Sequence, residues 1–309
     1  MIQEYKQQLT CIRELARRLA ETAATEANAH RRKMWADHND MCTSVEPLIW
    51  VCPDDDGGWL ELVPERSLQC EDADLRLLER KLKQYLYQAE FLHDDFVFEP
   101  TVYMQIPGEY TGYLYGHAAQ KTAWGIPMQK KEAGVTAYHL DCWLNSEEDY
   151  QKLLNHEVDF IPDQAEWKRL DEKYQQAVGG IIDIQFQLPY SVLVQSLLIE
   201  LVHLRGLEEL MYDLYDAPER LQQVLHHMAV SKANLLQKLE RENRLFDNRI
   251  NIYTGSGGLG YTNAMLKDPK SVTLADMWGF ADAQEFSGVS AEMFETFAIQ
   301  NQKIGLNLF

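Results

Sequence analysis

One feature constrains the fold more than any other: short β-type runs alternate with amphipathic helices along the chain. The β-type runs are "EPLIWVCP", closed by Pro53, "FVFEPTVYMQIP", interrupted at Pro100, "AGVTAYHLDCW", "IIDIQFQLP", "RINIYTG" and "SVTLADMWGFAD". Between them apolar residues recur three and four apart, the spacing of one helix face. Leu75, Leu78, Leu82, Leu86 and Ala89 form one such face, and Asp72 or Asp74 is placed to cap its start. "SEEDYQKLLNHE" and "DQAEWKRLDEKYQQAVGG" are two more helices, the second starting after Pro162 and stopping at Gly179. Helix then follows helix from Ser191 to Arg244, with Pro218 in a favoured first turn, and Ser290 caps a final helix. This order predicts an α/β protein with a parallel sheet and helices outside it. About six such units predict a TIM-type (β/α)8 barrel, and because that number does not close eight strands, the barrel is expected to be incomplete.

The barrel is expected over residues 46–309, after an N-terminal helical extension over 1–45. In that extension Ile2, Tyr5, Leu9, Ile12, Ala16, Leu19 and Ala23 form a heptad-like stripe. Docking onto the domain and pairing of two copies into a homo-oligomer both stay open.

A formal net charge of −19 repels the phosphate backbone, so neither nucleic acid nor an anionic membrane is an expected partner. No run approaches the roughly 20 apolar residues that span a bilayer, and "MIQEYKQQLTCIREL" lacks the apolar core of a signal peptide. A cytoplasmic protein is expected. Cys11, Cys42, Cys52, Cys70 and Cys142 are odd in number and widely spaced, which predicts reduced thiols. His38 with Cys42 and His139 with Cys142 are half-pairs only, and a zinc site needs three or four converging ligands. No metal site is expected.

The stretch "RINIYTGSGGLGYTN" spells G-x-G-x-x-G at Gly255, Gly257 and Gly260. In a dinucleotide fold that turn opens a helix whose amides hold the pyrophosphate. Here "YTNAMLKDPK" is too short for the helix and is broken by Pro269, so nucleotide binding is not expected. The glycines instead suit a loop at the rim of a barrel, where Gly257 and Gly258 let backbone approach a small-molecule substrate. Tyr253, Ser256 and Tyr261 would line that rim, with Asp276, Trp278 and Gln284 from the next strand and its loop. Plain turn glycines beside a packed Trp are the alternative. Gln185 and Gln187 alternate with Ile184 and Phe186, so they share a face, and polar groups on an interior face need partners or a ligand. Asp276 and Glu99 are the candidate general acids, since burial raises a carboxyl pKa toward a working range. Asp94 and Asp95 read as a turn pair, His203, His226 and His227 as helix residues, and His139 with Asp141 as loop-binding neighbours.

Several segments carry a family resemblance. "LRGLEELMYDLYDAPERLQQVL", "RRKMWADHNDM", "WLELVPERSLQCEDADLRLLERKL", "HDDFVFEP", "YTGSGGLGYT" and "ADMWGFADAQEFSGVSAEMFETF" resemble the uroporphyrinogen decarboxylase superfamily, in its bacterial branch related to corrinoid-dependent methyltransferases. The likeness runs from about Arg31 to the end. It implies a (β/α)8 barrel and transfer of a methyl group from a small methylated substrate to the corrinoid of a separate partner protein. Asp276 or Glu99 would act as general acid, with Gln185, Tyr253, Tyr261, Trp278 and Gln284 positioning substrate.

Two departures stand out. In place of the family's early Arg-rich loop stands "WVCPDDDGGWLEL", whose three aspartates repel a polyanionic tetrapyrrole. The second concerns the end: the family's Cys-Cys-Glu element, whose thiolates hold zinc in the related methyltransferases, would lie beyond Phe309. The chain is therefore expected to be a fragment without the family's zinc ligands. A carboxy-lyase acting on a smaller carboxylate through Asp183 or Asp276, and a non-catalytic barrel that binds a partner protein, are the alternative functions.

Overall fold

The computed structural model describes residues 2–42, 46–53, 57–115, 120–128, 142–253, 258–264 and 271–309. Its elements are α1 (Ile2–Ala23), α2 (Glu26–Asn39), α3 (Gly58–Leu62), α4 (Ala73–Tyr87), β1 (Thr101–Gln105), β2 (Gly108–Tyr110), β3 (Thr122–Ala123), β4 (Ile126–Pro127), α5 (Glu147–Leu154) and β5 (Phe160–Pro162). These are followed by α6 (Gln164–Val178), β6 (Asp183–Gln187), α7 (Tyr190–Leu193), α8 (Leu197–Arg205), α9 (Leu207–Asp216), α10 (Pro218–Arg241), α11 (Ala291–Met293) and α12 (Gln300–Leu306). The chain divides into two compact units. The first comprises Met1–Pro107, Asp163–Gln187 and Asn248–Met265, and the second Gly108–Pro162, Leu188–Asp247 and Leu266–Phe309.

In the first unit α1 lies against α4 and α6. Its Ile12, Ala16 and Leu19 are buried with Leu75, Leu78 and Leu82 of α4, each such leucine contributing roughly 1.5–3 kcal/mol. The stripe read from the sequence thus docks within the chain. Asp72 starts α4 by accepting the Asp74 and Leu75 amides at 3.1 Å each. β1 and β6 pair in parallel, with Thr101 opposite Asp183, Tyr103 opposite Gln185 and Gln105 opposite Gln187. Alternation along the strands turns Val102, Met104 and Ile184 into the core and leaves Tyr103 and Gln185 on the other face.

In the second unit α10 is the long central helix, packed by α5, α7, α8, α9 and α12. Pro218 opens it, as the sequence predicts. β2 pairs with β5 and β3 with β4, both antiparallel. The core of this unit contains an ion pair, Lys232 with Glu200, whose side chains are both fully buried.

The protein is mixed α/β, as its alternating pattern predicts, and among the described residues helix dominates. The barrel expectation is corrected at the level of observed strands. Among the described residues six strands form three separate two-stranded pairs, one of them parallel, and no barrel closes. Three expected strands take other forms for local reasons. "EPLIWVCP" runs beside Asp94 and Asp95, whose carboxylates accept the Val51 and Ile49 amides at 2.9 Å and so replace a strand partner. The run at Arg249–Tyr253 makes an isolated antiparallel bridge from Tyr253 to Leu259. In "SVTLADMWGFAD" Thr273 and Asp276 cap each other around a 3-10 turn, Leu274–Asp276; such local side-chain bonding competes with strand pairing. Most of "AGVTAYHLDCW", including His139 and Asp141, lies outside the described residues. No helix among the described residues is long and apolar enough to cross a membrane.

Candidate functional site

In the first unit the chain leaves Phe98 and turns at Pro100 into β1. That turn brings the Glu99 carboxyl and the Tyr103 phenol to one place. The Tyr103 hydroxyl donates to Glu99 Oε2 at 2.5 Å. From the far end of the chain the Tyr261 hydroxyl donates to Glu99 Oε1 at 2.7 Å. Arg32, projecting from α2, donates from Nη2 to the same oxygen at 2.8 Å, with its guanidinium 4.9 Å above the centre of the Tyr261 ring. Glu99 and Tyr261 are buried, whereas the Arg32 side chain is 57% exposed. The cation therefore forms the solvent side of the cluster.

Burial, then the neighbouring Glu99 charge, raises the pKa values of Tyr103 and Tyr261 far above the ordinary phenol range. Tyr85 nearby is pushed up to about 12 by the same two causes. The phenols stay protonated at any working pH and act as fixed donors. Three donors thus converge on one carboxylate, and Gln185 lies opposite Tyr103 on the exposed face of the strand pair.

Tyr261 arrives on the segment that follows the Gly-rich stretch. Gly258 has φ +108°, and a Cβ there would stand 2.5 Å from the Trp35 ring, so only glycine fits this crossing. Beyond Tyr261, Asp40 accepts from the Thr262 hydroxyl at 2.5 Å and the Asn263 amide at 2.9 Å. These bonds, with burial opposing them, hold the Asp40 carboxyl below its ordinary pKa.

Two candidates read from the sequence, Glu99 and Tyr261, are brought into direct contact, and Gln185 lies on the same strand pair. Tyr253 is in the first unit as well, partly exposed, with its ring 5.5 Å from that of Trp50. Gly258 serves the crossing over Trp35, while Ser256 and Gly257 lie outside the described residues. Asp276, Trp278 and Gln284 belong to the second unit. There Asp276 Oδ2 accepts from the Thr273 hydroxyl at 2.7 Å, Trp278 is 37% exposed and Gln284 opens a 3-10 turn. Arg32 and Tyr103 were missed by sequence reasoning. A signal existed for each: Tyr103 alternates in step with Thr101 along "TVYMQ", and Arg32 precedes Trp35 and Asn39 by three and seven residues, which puts all three on one helix face.

Among the described residues no three His, Cys, Asp or Glu side chains converge in a metal-holding group. Comparison of the chain with family models, with curated protein sequences and with solved structures gave no match.

Proposed function

We propose that the chain is an acid–base enzyme of the corrinoid-linked methyl-transfer type, acting on a small methylated substrate with Glu99 as its proton-handling group. The observation that carries this reading is the convergence of Tyr103, Tyr261 and Arg32 on the Glu99 carboxyl. Removing a methyl group from oxygen or nitrogen leaves an electron pair on that atom, and a proton must reach it. The Glu99 carboxylate would take up a proton from solvent and pass it to that atom, and the carboxylate it returns to already has two phenol O–H groups and a guanidinium aimed at its oxygens. Donors arranged in advance around a charge that develops during reaction are a strong source of rate enhancement.

Arg32, the exposed partner, is the group a substrate would move aside, and Gln185 offers an amide on the neighbouring strand. A corrinoid carried by a partner protein would supply the methyl acceptor. The donor set among the described residues does not fit a zinc ion.

The test is a demethylation assay with a panel of O- and N-methyl compounds and cob(I)alamin as acceptor. Glu99→Gln is expected to lower the rate by about a hundredfold or more, the usual scale of general acid catalysis. Transfer at an unchanged rate in that variant, or no transfer by the wild type from any substrate, removes the reading. Carbon dioxide release from carboxylate substrates would turn it toward a carboxy-lyase.

A further inference from the structure

Asn39 is the last residue of α2, and its side-chain Nδ2 donates to two backbone carbonyls, Leu259 O and Tyr261 O, each at 2.7 Å. Two hydrogens meet two acceptors that straddle Gly260. With a carbonyl on either side, only the nitrogen end of the amide can face them. Along its backbone the segment also has the Gly260 amide to Ile250 O at 3.0 Å and the isolated Tyr253–Leu259 bridge. Further side-chain restraints come from the same helix: Asp40 receives Thr262 and Asn263, Asp37 receives the Asn263 amide group at 3.2 Å, and Trp35 lies under Gly258.

We infer that Asn39 is a positioning residue of this site: its amide clamps the backbone on both sides of Gly260 and so seats the Tyr261 phenol on Glu99. The inference rests on the reading of Glu99 as the working centre. Because Arg32 and Asn39 project from one rigid helix, the cation at Glu99 and the clamp on the Tyr261 segment are set together. A residue at position 39 without an amide donor removes the bond that each of these carbonyls receives from α2, and the segment loses its register on that helix.

The experiment uses the full chain and needs no substrate. In Asn39→Ala, hydrogen–deuterium exchange of the amides at 259–263 is expected to rise by about tenfold or more, as two hydrogen bonds are lost. In an alkaline absorbance titration one additional tyrosine is expected to ionise in the ordinary phenol range, and the added Tyr261→Phe substitution is expected to remove it. Asn39→Ser, with one hydroxyl donor, should fall between wild type and Asn39→Ala; it and Asp40→Ala carry the test if Asn39→Ala does not fold. Unchanged exchange overturns the inference, and so does faster exchange with no new titrating phenol. Both readouts stand apart from catalysis, so a failed methyl-transfer assay and a failed clamp give different results.

Discussion

The Glu99 cluster in the first unit and the Glu200 cluster in the second are built from similar parts and differ most in the exposure of the cation. Glu200 accepts from Lys232 at 2.5 Å, from the Trp124 indole at 2.8 Å and from the Tyr115 hydroxyl at 3.4 Å. Lys232 also donates to Ser191 O at 3.1 Å. Each carboxylate therefore has one cation and two aromatic donors, and in each cluster burial, then the carboxylate charge, raises the phenol pKa values. The cation makes the difference. Lys232 is fully buried, whereas more than half of the Arg32 side chain meets solvent. A buried pair has no route by which a ligand replaces one partner, so it acts as a specific tie between α8 and α10. A half-exposed guanidinium is exchangeable, which is what the role proposed for Glu99 requires.

The contrast can be broken most forcefully at Lys232. Lys232→Met leaves Glu200 buried without its cation and is expected to destabilise the protein by about 3–5 kcal/mol in urea unfolding. Lys232→Met combined with Glu200→Leu should recover most of that loss. A double variant no more stable than the single one would contradict the tie.

Arg32→Ala probes the exposed partner. Water screens the exposed guanidinium and both phenols stay on Glu99, so the stability loss should be well below that of Lys232→Met while substrate turnover falls. A loss as large as that of Lys232→Met would erase the distinction between the two clusters.

The smallest effect is expected at the partly exposed cluster of Asp74 with Arg169 and Lys173. Asp74 is lowered to about 2, first by the Arg169 hydrogen bond, with burial opposing and Lys173 assisting. Its folded pKa lies below its unfolded value of about 3.9, so the stabilisation is complete above that pH and is lost as pH falls toward about 2. Asp74→Asn should flatten the acid limb of a stability–pH curve between those values. Solvent screening limits the change to about 1 kcal/mol or less. A flattening near neutral pH would instead point to a different group.

Much of the helical framework was legible beforehand. α4 begins after Asp72, α10 begins at Pro218 and α11 begins after Ser290, each where a cap or first-turn residue stands in the sequence. The strands were less so. "IIDIQFQLP" forms β6 because its alternation matches a half-buried strand, but "EPLIWVCP" reads equally apolar and instead borrows the side chains of Asp94 and Asp95. Those two aspartates, read as an ordinary turn pair, replace a neighbouring strand's carbonyls. Of the candidate site, Glu99, Tyr261 and Gln185 were named from burial, loop position and strand alternation. Their association with Arg32 and Asn39 was not, because those contacts join residues 67 to 222 positions apart, and Tyr103, four residues from Glu99, is turned onto it only by the bend at Pro100.

From the sequence alone came the elements set by neighbouring residues: helix faces from three- and four-residue spacing, helix starts from capping oxygens, and the alternating faces of β6. Tertiary structure alone decided which carboxylate is matched with which donors and whether its cation meets water. Spacing along a chain reports only contacts within a few residues. Glu99 meets Tyr261 across 162 positions, through packing against α2 that no local pattern encodes.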